Sequence, residues 1–596
     1  MTHVSTSQTS IGKFVYFRSA LYFANSTNIK VAHVSLQHNN GIGMAIVNSN
    51  GKIEIKHSLF VNNSLNPKEQ NETFTGGGGL YIEFTRCVPG LANCSKVHTH
   101  NQYSQYIIDQ CLFDGNNATY NVIETDQPVH NRYVTIGRGG GISIWCFGIA
   151  ASNKFYISSS NFTRNAADQG GGINIDFRDD SYNNHVEISQ CLFRQNKAEK
   201  YQGGGGAIVG YVIYQSGGHV TNNNVTFVDC NFTENYALLG GGGGINWFGS
   251  REPNVLKPSN HYEVTRCKFE RNEAQIGSAM VISKEFFESI PGGILSALII
   301  NNCSFINNNI QQSTKTIHTH KSASGIGAVV STGFGLQFKG CTVFIANNST
   351  AVVGDDAVIE FYHNSTVTFT KNKGVKGGAI LLIEGAFLKL FPNSALMFFE
   401  NFALLNGGAI FVEMETPYEY FQSHICFIRY HKENISPKQW NVTLKFTNNT
   451  SITNNTIFSS TLQPCFKEYF NIAFLQDNFF TYEPLFANST VATSPSKFKV
   501  SMSNISVSPG KVFKLPVEMI DELDHVVPVF VLIATCNNHG QGAYVLSPYQ
   551  YANGSMRIAG NPSETCSLKL TTDSNHQIST TIMVHLSLCS PGYYYS

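Results

Sequence analysis

The sequence predicts an all-β protein whose main body is a solenoid of parallel strands, and three observations predict it. A short motif, Phe-x-x-Asn followed by a Gly cluster and an alternating apolar stretch, recurs along most of the 596 residues. Only 13% of the residues are charged, so the Glu, Lys and Arg that long solvated helices need are scarce. The 43 Phe and 52 Gly, together with many Asn, Ser and Thr, are typical of strands and turns.

The repeat is clearest in the middle of the chain, where FTRN at Phe162 leads to GGGINIDF and FTEN at Phe232 leads to GGGGGINWF. Eleven such Phe-x-x-Asn motifs begin at Phe60, Phe113, Phe162, Phe193, Phe232, Phe269, Phe305, Phe344, Phe369, Phe398 and Phe446. Their starts lie 25 to 53 residues apart, and the longest gaps leave room for a degenerate coil or a loop excursion such as residues 86–106. We therefore expect about eleven to fifteen coils.

Each part of the repeat has a physical reason. Alternate residues are apolar, which is the period of a β-strand, and no 3.6-residue pattern of useful length separates the strands. That excludes βαβ units and leucine-rich repeats. Strands that pair with their equivalents one repeat away form a solenoid, with Phe stacked on Phe and coils about 4.8 Å apart. Asn suits the corner, because it tolerates the αL conformation and its amide can bond the Asn of the next coil.

The Gly clusters supply positive φ and close backbone approach at the next corner. The competing interpretation is a phosphate-binding loop, which needs a helix with Lys-Ser/Thr after the Gly run. Strand-like alternation follows the Gly runs here, so the corner is favoured and no cofactor is predicted.

Five cysteines share one position, two residues before the repeat Phe, and Ser58 and Ser160 fill that position in other copies. We predict a buried column on one inward face, made of Cys111, Cys191, Cys230, Cys267, Cys303, Phe113, Phe162, Phe193, Phe232, Phe269 and Phe305. One thiol per coil cannot present four tetrahedral ligands, so no metal is predicted. Free thiols are favoured over disulfides between coils, because parallel Cβ vectors about 4.8 Å apart exceed the preferred disulfide range. Disulfides remain the alternative.

The paired Phe-x-x-Asn and Gly-Gly-Ala-Ile/Leu/Val motifs resemble the repeats of the chlamydial polymorphic outer-membrane proteins. They are also similar to the β-helix regions of large extracellular proteins predicted in sponges, cnidarians and other animals. The resemblance covers about residues 25–460 and implies a right-handed parallel β-helix; it implies adhesion or surface display only loosely. We favour the animal type, because the bacterial proteins end in an aromatic residue and this sequence ends in Ser596.

We divide the chain into a solenoid with a terminal cap at residues 1–485, a small Ig-like β-sandwich at 490–588, and the start of a Cys-rich module at 589–596. The repeat fades after Gly407 into an aromatic-rich stretch that is typical of a cap. From about Val491, strands separated by a Pro-Gly turn and an acidic turn resemble an Ig-like module. The disulfide candidates are Cys536 with Cys566 in this module, Cys87 with Cys94 in a loop, and Cys426 and Cys465.

Twenty Asn-x-Ser/Thr sequons and 14 Cys favour a secretory route, although the first residues lack the order of a secretion signal. The glycosylation candidates are Asn25, Asn71, Asn117, Asn364, Asn441, Asn488, Asn504 and Asn553. No apolar run reaches the roughly eighteen residues of a membrane span. We therefore predict an extracellular or cell-surface fragment, whose continuation supplies a membrane anchor and a partner for Cys589.

Catalysis has two candidate sites. Parallel β-helices include pectin-cleaving hydrolases, which place paired acids, His and basic residues in one groove. Asp355-Asp356 resembles the Asp-Asp motif of polygalacturonases, but the nearest His-Gly is His539-Gly540 in the sandwich. A second acidic patch consists of Asp176, Asp179 and Asp180 with Arg178 and His185, and we interpret it as a solvated turn.

Two functions remain open. The favoured one is a non-catalytic extracellular stalk of a larger surface protein, which contacts other proteins or glycans through its coils and loops. The alternative is a secreted polysaccharide-acting enzyme, which a groove lined by three or more carboxylates on adjacent coils would favour. The equal numbers of basic and acidic residues, 40 and 40, give no reason to expect binding to nucleic acid.

Overall fold

The fold is all-β in a computed structural model that describes residues 3–5, 19–64, 75–84, 101–119, 137–147, 150–178, 181–201, 203–212, 220–239, 241–250, 260–285, 297–310, 327–333, 335–413, 426–430, 441–453, 455–460, 491–494, 496–521, 524, 526, 531–537, 544–545, 549–551, 555–572 and 578–588. Within these ranges every regular element is a strand. Three long sheets dominate, with 13, 12 and 14 strands. All their strand pairs are parallel except the first pair of sheet 1, and they join equivalent residues of successive repeats. This confirms the predicted stacks of parallel strands, an arrangement consistent with a parallel β-helix.

Sheet 1 contains His3–Ser5, Lys30–Ala32, Lys52–Lys56, Gln105–Asp109, Lys154–Ser158, His185–Ser189, Asn224–Val228, His261–Thr265, Ala297–Asn301, Gly335–Lys339, Val358–Phe361, Phe387–Leu390 and Ile428–Tyr430. Sheet 2 contains Ser35–Gln37, Leu59–Val61, Leu112–Asp114, Asn161–Thr163, Leu192–Arg194, Asn231–Thr233, Lys268–Glu270, Ser304–Ile306, Cys341–Ile345, Thr366–Thr370, Ala395–Phe399 and Thr443–Thr447. Sheet 3 contains Ser19–Ala24, Ile42–Val47, Leu80–Phe84, Ile142–Phe147, Ile173–Arg178, Ala207–Val212, Ile245–Ser250, Gly277–Glu285, Gly327–Thr332, Thr350–Asp355, Ile380–Ile383, Ile410–Glu413, Ile457–Ser459 and Val491–Thr493.

Short strands lie at the corners between the long sheets. Those between sheets 2 and 3 are Asn117–Ala118, Ala166–Ala167, Lys197–Tyr201, Tyr236–Leu239, Glu273–Ala274 and Asn309–Ile310, then Lys373–Gly374, Phe402–Ala403 and Thr450–Ser451. The others are Asn101–Gln102, Ala150–Ala151 and Ser181–Tyr182, with Thr75–Gly76 and Gly137–Arg138. One coil therefore runs from sheet 1 to sheet 2, through a corner strand to sheet 3, and back to sheet 1.

The Phe of the repeat forms the inner wall of sheet 2. Neighbouring rings from Phe60 to Phe446 stack with centroids 4.6–5.1 Å apart and planes within 12° of parallel. The predicted ring positions Phe113, Phe162, Phe193, Phe232, Phe269 and Phe305 are all 0% exposed. The long gap in the repeat hides no extra coil, because Leu59–Val61 pairs directly with Leu112–Asp114.

The Asn of the repeat forms the asparagine ladder, which consists of Asn39, Asn63, Asn116, Asn165, Asn196, Asn235, Asn272, Asn308, Asn347, Asn372, Asn401 and Asn449. Each side-chain Nδ2 donates to Oδ1 of the next Asn along the chain, at 2.6–3.1 Å. The second Nδ2 hydrogen of Asn235 goes to the Phe193 carbonyl at 2.9 Å, and its backbone N–H to Asn272 Oδ1 at 3.0 Å. Buried amides thus have partners on both sides.

The C-terminal part is a separate set of small, mainly antiparallel sheets. The largest orders Asn504–Val507, Ser579–Leu586, Thr565–Thr572, Val531–Asn537 and Tyr549–Tyr551, and the others pair Lys497–Val500 with Val517–Ile520, Phe513–Lys514 with Ser555–Met556, and Tyr544–Val545 with Ile558–Ala559. Its own core includes Leu568, Leu570, Ile582 and Val584, all 0% exposed. Buried Asp521 accepts a hydrogen bond from Thr493 N–H at 3.2 Å, so this part meets the last strand of sheet 3 directly.

Replacing Phe232 by Ala should lower the free energy of unfolding by about 3–5 kcal/mol, because a fully buried ring that stacks on two neighbours is lost. Urea denaturation checks this. Tyr103→Ala is the control, since Tyr103 is 78% exposed; equal effects of the two substitutions would contradict the stacked core.

Candidate functional site

The cysteine column lies on the inner side of the corner between sheets 1 and 2. Cys111, Cys191, Cys230, Cys267 and Cys303 are free thiols, each no more than 3% exposed, and they belong to the same core cluster as the repeat Phe. Cys146, on the inner face of sheet 3, is also free and buried. The sequence favoured free thiols over disulfides between coils. The described residues contain no disulfide between neighbouring coils.

Each thiol of the column makes the hydrogen bonds that a serine makes in other coils. Cys230 Sγ donates to the carbonyls of Val228 and Ile188, at 3.3 and 3.4 Å. Ser160 Oγ similarly donates to the Ser158 carbonyl at 2.7 Å, and it accepts from Cys111 N–H at 3.0 Å. The column therefore closes the turn that precedes sheet 2, which is a structural role.

Burial affects the thiols of the column unequally. Desolvation raises the pKa of Cys111 and of Cys303 to about 12, which keeps these two thiols protonated, and it is the thiolate that attacks electrophiles and binds metals. At Cys230, desolvation is outweighed by hydrogen bonds with the Cys191 and Cys267 thiols, which lower the pKa. The described residues contain no group of three or more His, Cys, Asp or Glu that could hold a metal ion.

Asp176 of the second acidic patch does not lie in a solvated turn. The interpretation of the patch as a solvated turn was therefore wrong for this residue. Asp176 lies within Ile173–Arg178 of sheet 3, is 1% exposed, and forms an ion pair with Arg138. The guanidinium of Arg138 also lies over the ring of Trp145, 5.1 Å from its centroid, in a cation–π contact. The sequence missed this because Arg138 and Asp176 lie 38 residues apart and meet only through coil stacking.

His185 is not part of that cluster. It lies on sheet 1, where its Nε2 is 3.7 Å from Glu187 Oε2. Asp179, Asp180 and the side chain of Arg178 lie outside the described residues. Of the described members of this set, Asp176 and His185 lie on different sheets.

Glu83 is a buried carboxyl that sequence reasoning did not single out. Strand pairing puts Glu83, Trp145 and Asp176 in one row across three neighbouring strands of sheet 3. Desolvation raises the pKa of Glu83 to about 7. Its Cα and that of Asp176 are two strand spacings apart, about 9.6 Å. Asp168, also buried, accepts from Gly137 N–H at 2.8 Å nearby.

This row is closed rather than open to a polymer. Glu83, Trp145 and Asp176 are 6%, 7% and 1% exposed, and Asp168 is 1% exposed. Carboxylates do occur on adjacent coils, but in the described part of the chain they do not line an accessible groove. Their arrangement suits a buried polar network that holds the outer face of sheet 3.

Asp355 and Asp356 lie at the end of a sheet 3 strand and in the turn that follows. Asp355 ends Thr350–Asp355 opposite Ile383, and Asp356 has φ 47°, in the left-handed region. His539 and Gly540 lie outside the described residues. The two acids therefore lie at a corner of the solenoid.

The outer face of sheet 1 in its last coils brings aromatic, basic and acidic side chains together, and most of them are half-buried. Glu360 accepts from Gln337 Nε2 at 2.9 Å and from Lys389 Nζ at 2.8 Å. Tyr362 stacks on Phe391 with centroids 4.6 Å apart, and Lys339 Nζ lies 5.0 Å from the Tyr362 ring. We call this set, Gln337, Lys339, Glu360, Tyr362, Phe387, Lys389, Phe391 and Arg429, the aromatic strip. It presents ring faces, cations and a carboxylate on a flat sheet.

The sequons fall into accessible and inaccessible classes. Among the candidates, Asn25, Asn364, Asn441 and Asn504 are exposed, and half-buried Asn117 accepts from Thr119 N–H at 2.8 Å. Asn71, Asn488 and Asn553 lie outside the described residues. Asn161 and Asn231 are also exposed on sheet 2, whereas Asn347 is a fully buried member of the asparagine ladder.

The disulfide Cys536–Cys566 is confirmed, with a Cα–Cα distance of 5.5 Å. Cys426 is also disulfide-bonded, to a cysteine outside the described residues, where Cys87, Cys94, Cys465 and Cys589 all lie. Cys341 is a free, exposed thiol.

No family model, curated protein or solved structure matches this chain. In the described part of the chain, no helix is long and apolar enough to cross a membrane.

Cys341 should be the first of the described free thiols to react with a maleimide under native conditions, because the others are buried. Mass spectrometry of labelled peptides, before and after unfolding in urea, checks this. Cys341→Ser should remove the native label. Peptides that join Cys191 to Cys230, or Cys267 to Cys303, through a disulfide would instead contradict the free-thiol column.

Proposed function

We propose that this chain is the extracellular, non-catalytic stalk of a larger cell-surface protein. In this proposal a right-handed parallel β-helix forms the rod and an Ig-like β-sandwich follows it. The observation that carries the proposal is the unbroken asparagine ladder. It links twelve coils in one register, and eleven steps of about 4.8 Å give a rod roughly 50 Å long.

The stalk binds other extracellular proteins or glycans through exposed side chains outside the closed sheet 3. The aromatic strip is the surface best suited to this, because aromatic faces with cations and a carboxylate provide both apolar and directed polar contacts. Its side chains stand on strands or, for Tyr362 and Phe391, directly after them, so they are held in place before a partner arrives. The similarity of the repeats to those of animal extracellular proteins supports the same function.

The secretory location rests on two features of the described residues. Cys536–Cys566 is a disulfide with ordinary Cα spacing, and disulfides persist mainly in oxidising compartments. Exposed sequons such as Asn161 and Asn231 could carry glycans without disturbing the core. A membrane anchor outside this sequence completes the proposal.

Antibodies against the solenoid should stain intact, non-permeabilised cells that express the native full-length protein, and treatment with an N-glycosidase should lower its mass. Small-angle scattering on the secreted chain should show an elongated particle. Staining only after permeabilisation, with no mass change, would rule out the stalk.

The alternative, a secreted polysaccharide-acting enzyme, is favoured by the row that contains Glu83 and Asp176. We expect no release of product from polygalacturonate or other acidic polysaccharides, because these carboxyls are at most 6% exposed. Reducing-end and unsaturated-product assays check this. Turnover that disappears in Glu83→Gln, or in the double variant Asp355→Asn, Asp356→Asn, would establish an enzyme instead.

A further inference from the structure

An apolar patch is exposed at the corner between sheets 2 and 3 in the last three coils. It consists of Val375, Phe402, Leu404, Leu405 and Ile452, which are 57%, 37%, 49%, 46% and 61% exposed. Stacking brings them together: Phe402 pairs with Thr450, Leu404 N–H donates to the Gly374 carbonyl, and Leu405 N–H to the Val375 carbonyl. Isolated exposed apolar residues are ordinary, but a contiguous group marks an interaction site.

Most earlier coils do not share this feature. The residue after the paired corner alanine is Asp168, Glu199 and Gln275 in three of them, and Leu238 in a fourth is half-buried. At the same turn in the last three coils, three successive positions are apolar and exposed: Val375, Leu404 and Ile452. The patch is therefore local to one end of the rod. Its side chains do not contribute to the core, which lies on the inner side of the corner.

We propose that this patch, with Lys371 and Glu400 at its edge, is the contact between two copies of this chain in an antiparallel dimer. Lys371 and Glu400 occupy equivalent corner positions in neighbouring coils, with 3.5 Å between Lys371 Nζ and Glu400 Oε2, and they are 61% and 53% exposed. A two-fold axis in the contact plane, parallel to the corner strands and midway between these coils, reverses the order of the coils. Lys371 of each copy then faces Glu400 of the partner subunit.

The same axis places Val375 opposite Leu404 of the partner subunit, so apolar surface meets apolar surface beside the charge pairs. Such an isologous contact uses the same patch on both copies, so the chain needs no second binding surface. A patch of five side chains lies in the range of about 300–600 Å² that marks functional patches. The flanking Lys371, Lys373 and Glu400 extend it toward the roughly 800 Å² per partner of a stable interface. The chain carries no net charge, so no long-range repulsion opposes association.

Sedimentation velocity over a concentration series on the whole chain tests the dimer. The unmodified chain should show a monomer–dimer equilibrium, and Leu404→Asp should weaken it by roughly tenfold or more. Tyr103→Asp, at a 78% exposed position elsewhere, should leave it unchanged. Both substitutions are at exposed positions, so the melting temperature should remain that of the unmodified chain.

A charge exchange tests the geometry separately. Lys371→Glu and Glu400→Lys should each weaken the dimer, since each puts like charges opposite one another, and the double variant should restore it. A chain that stays monomeric at all concentrations, or a dimer that survives Leu404→Asp, would overturn the proposal. Failure of the double variant to restore the dimer would overturn the antiparallel arrangement. None of these outcomes depends on where the protein is located or on what its aromatic strip binds.

Discussion

The rest of the structure depends on the buried side-chain amide of one residue per coil. An Asn in the asparagine ladder can be satisfied only if the next coil places its own Asn directly above it. A slip by one residue would leave a row of amides buried without partners, each costing about 1–3 kcal/mol. It would also turn the repeat Phe away from the core, because alternate residues face opposite sides of a strand. The ladder and the Phe stack therefore impose the same register from two independent interactions.

The thiol column shows how such a register tolerates sequence change. From Ser58 to Cys303 its position holds a small side chain that donates to the carbonyl two residues earlier, as Ser160 and Cys230 do. Thr342 keeps an oxygen there, accepting from Cys303 N–H at 3.4 Å, before Val367 and Leu396 take the position over in the last coils. Cys combines a weak hydrogen-bond donor with the packing of a small apolar residue, so it suits a site that is polar on one side and apolar on the other.

The local sequence pattern was sufficient to predict the features that recur in every coil. It was not sufficient to predict the features that occur only once. The inward Phe and the corner Asn could be predicted because each recurs at a fixed place in every unit. The ion pair of Asp176 with Arg138 could not, because each residue occurs once and their meeting depends on which coils are neighbours. Reading Asp176 as a solvated turn followed from the acidic residues after it, whereas its place in the strand alternation, opposite Trp145, decides its burial. The apolar patch was missed for a related reason: Leu404 and Ile452 look like strand residues until their exposure is known.

The three sheets differ in what their outer faces can do. Outward residues of sheets 1 and 2 are mostly half-buried or exposed, which is typical of strands that face water on one side. Beyond its first strand, where Tyr22 is 37% exposed, sheet 3 is largely buried on both faces: Val281, Val353, Leu381 and Phe411 form an outer apolar cluster no more than 5% exposed. In its earlier coils the same face holds Glu83 and Asp176 instead. A partner that reaches the described surface would therefore mainly contact sheet 1, sheet 2 or the corner strands. The aromatic strip and the apolar patch lie on those remaining surfaces, so a dimer formed through the patch would leave the strip of each copy on a different sheet from the contact.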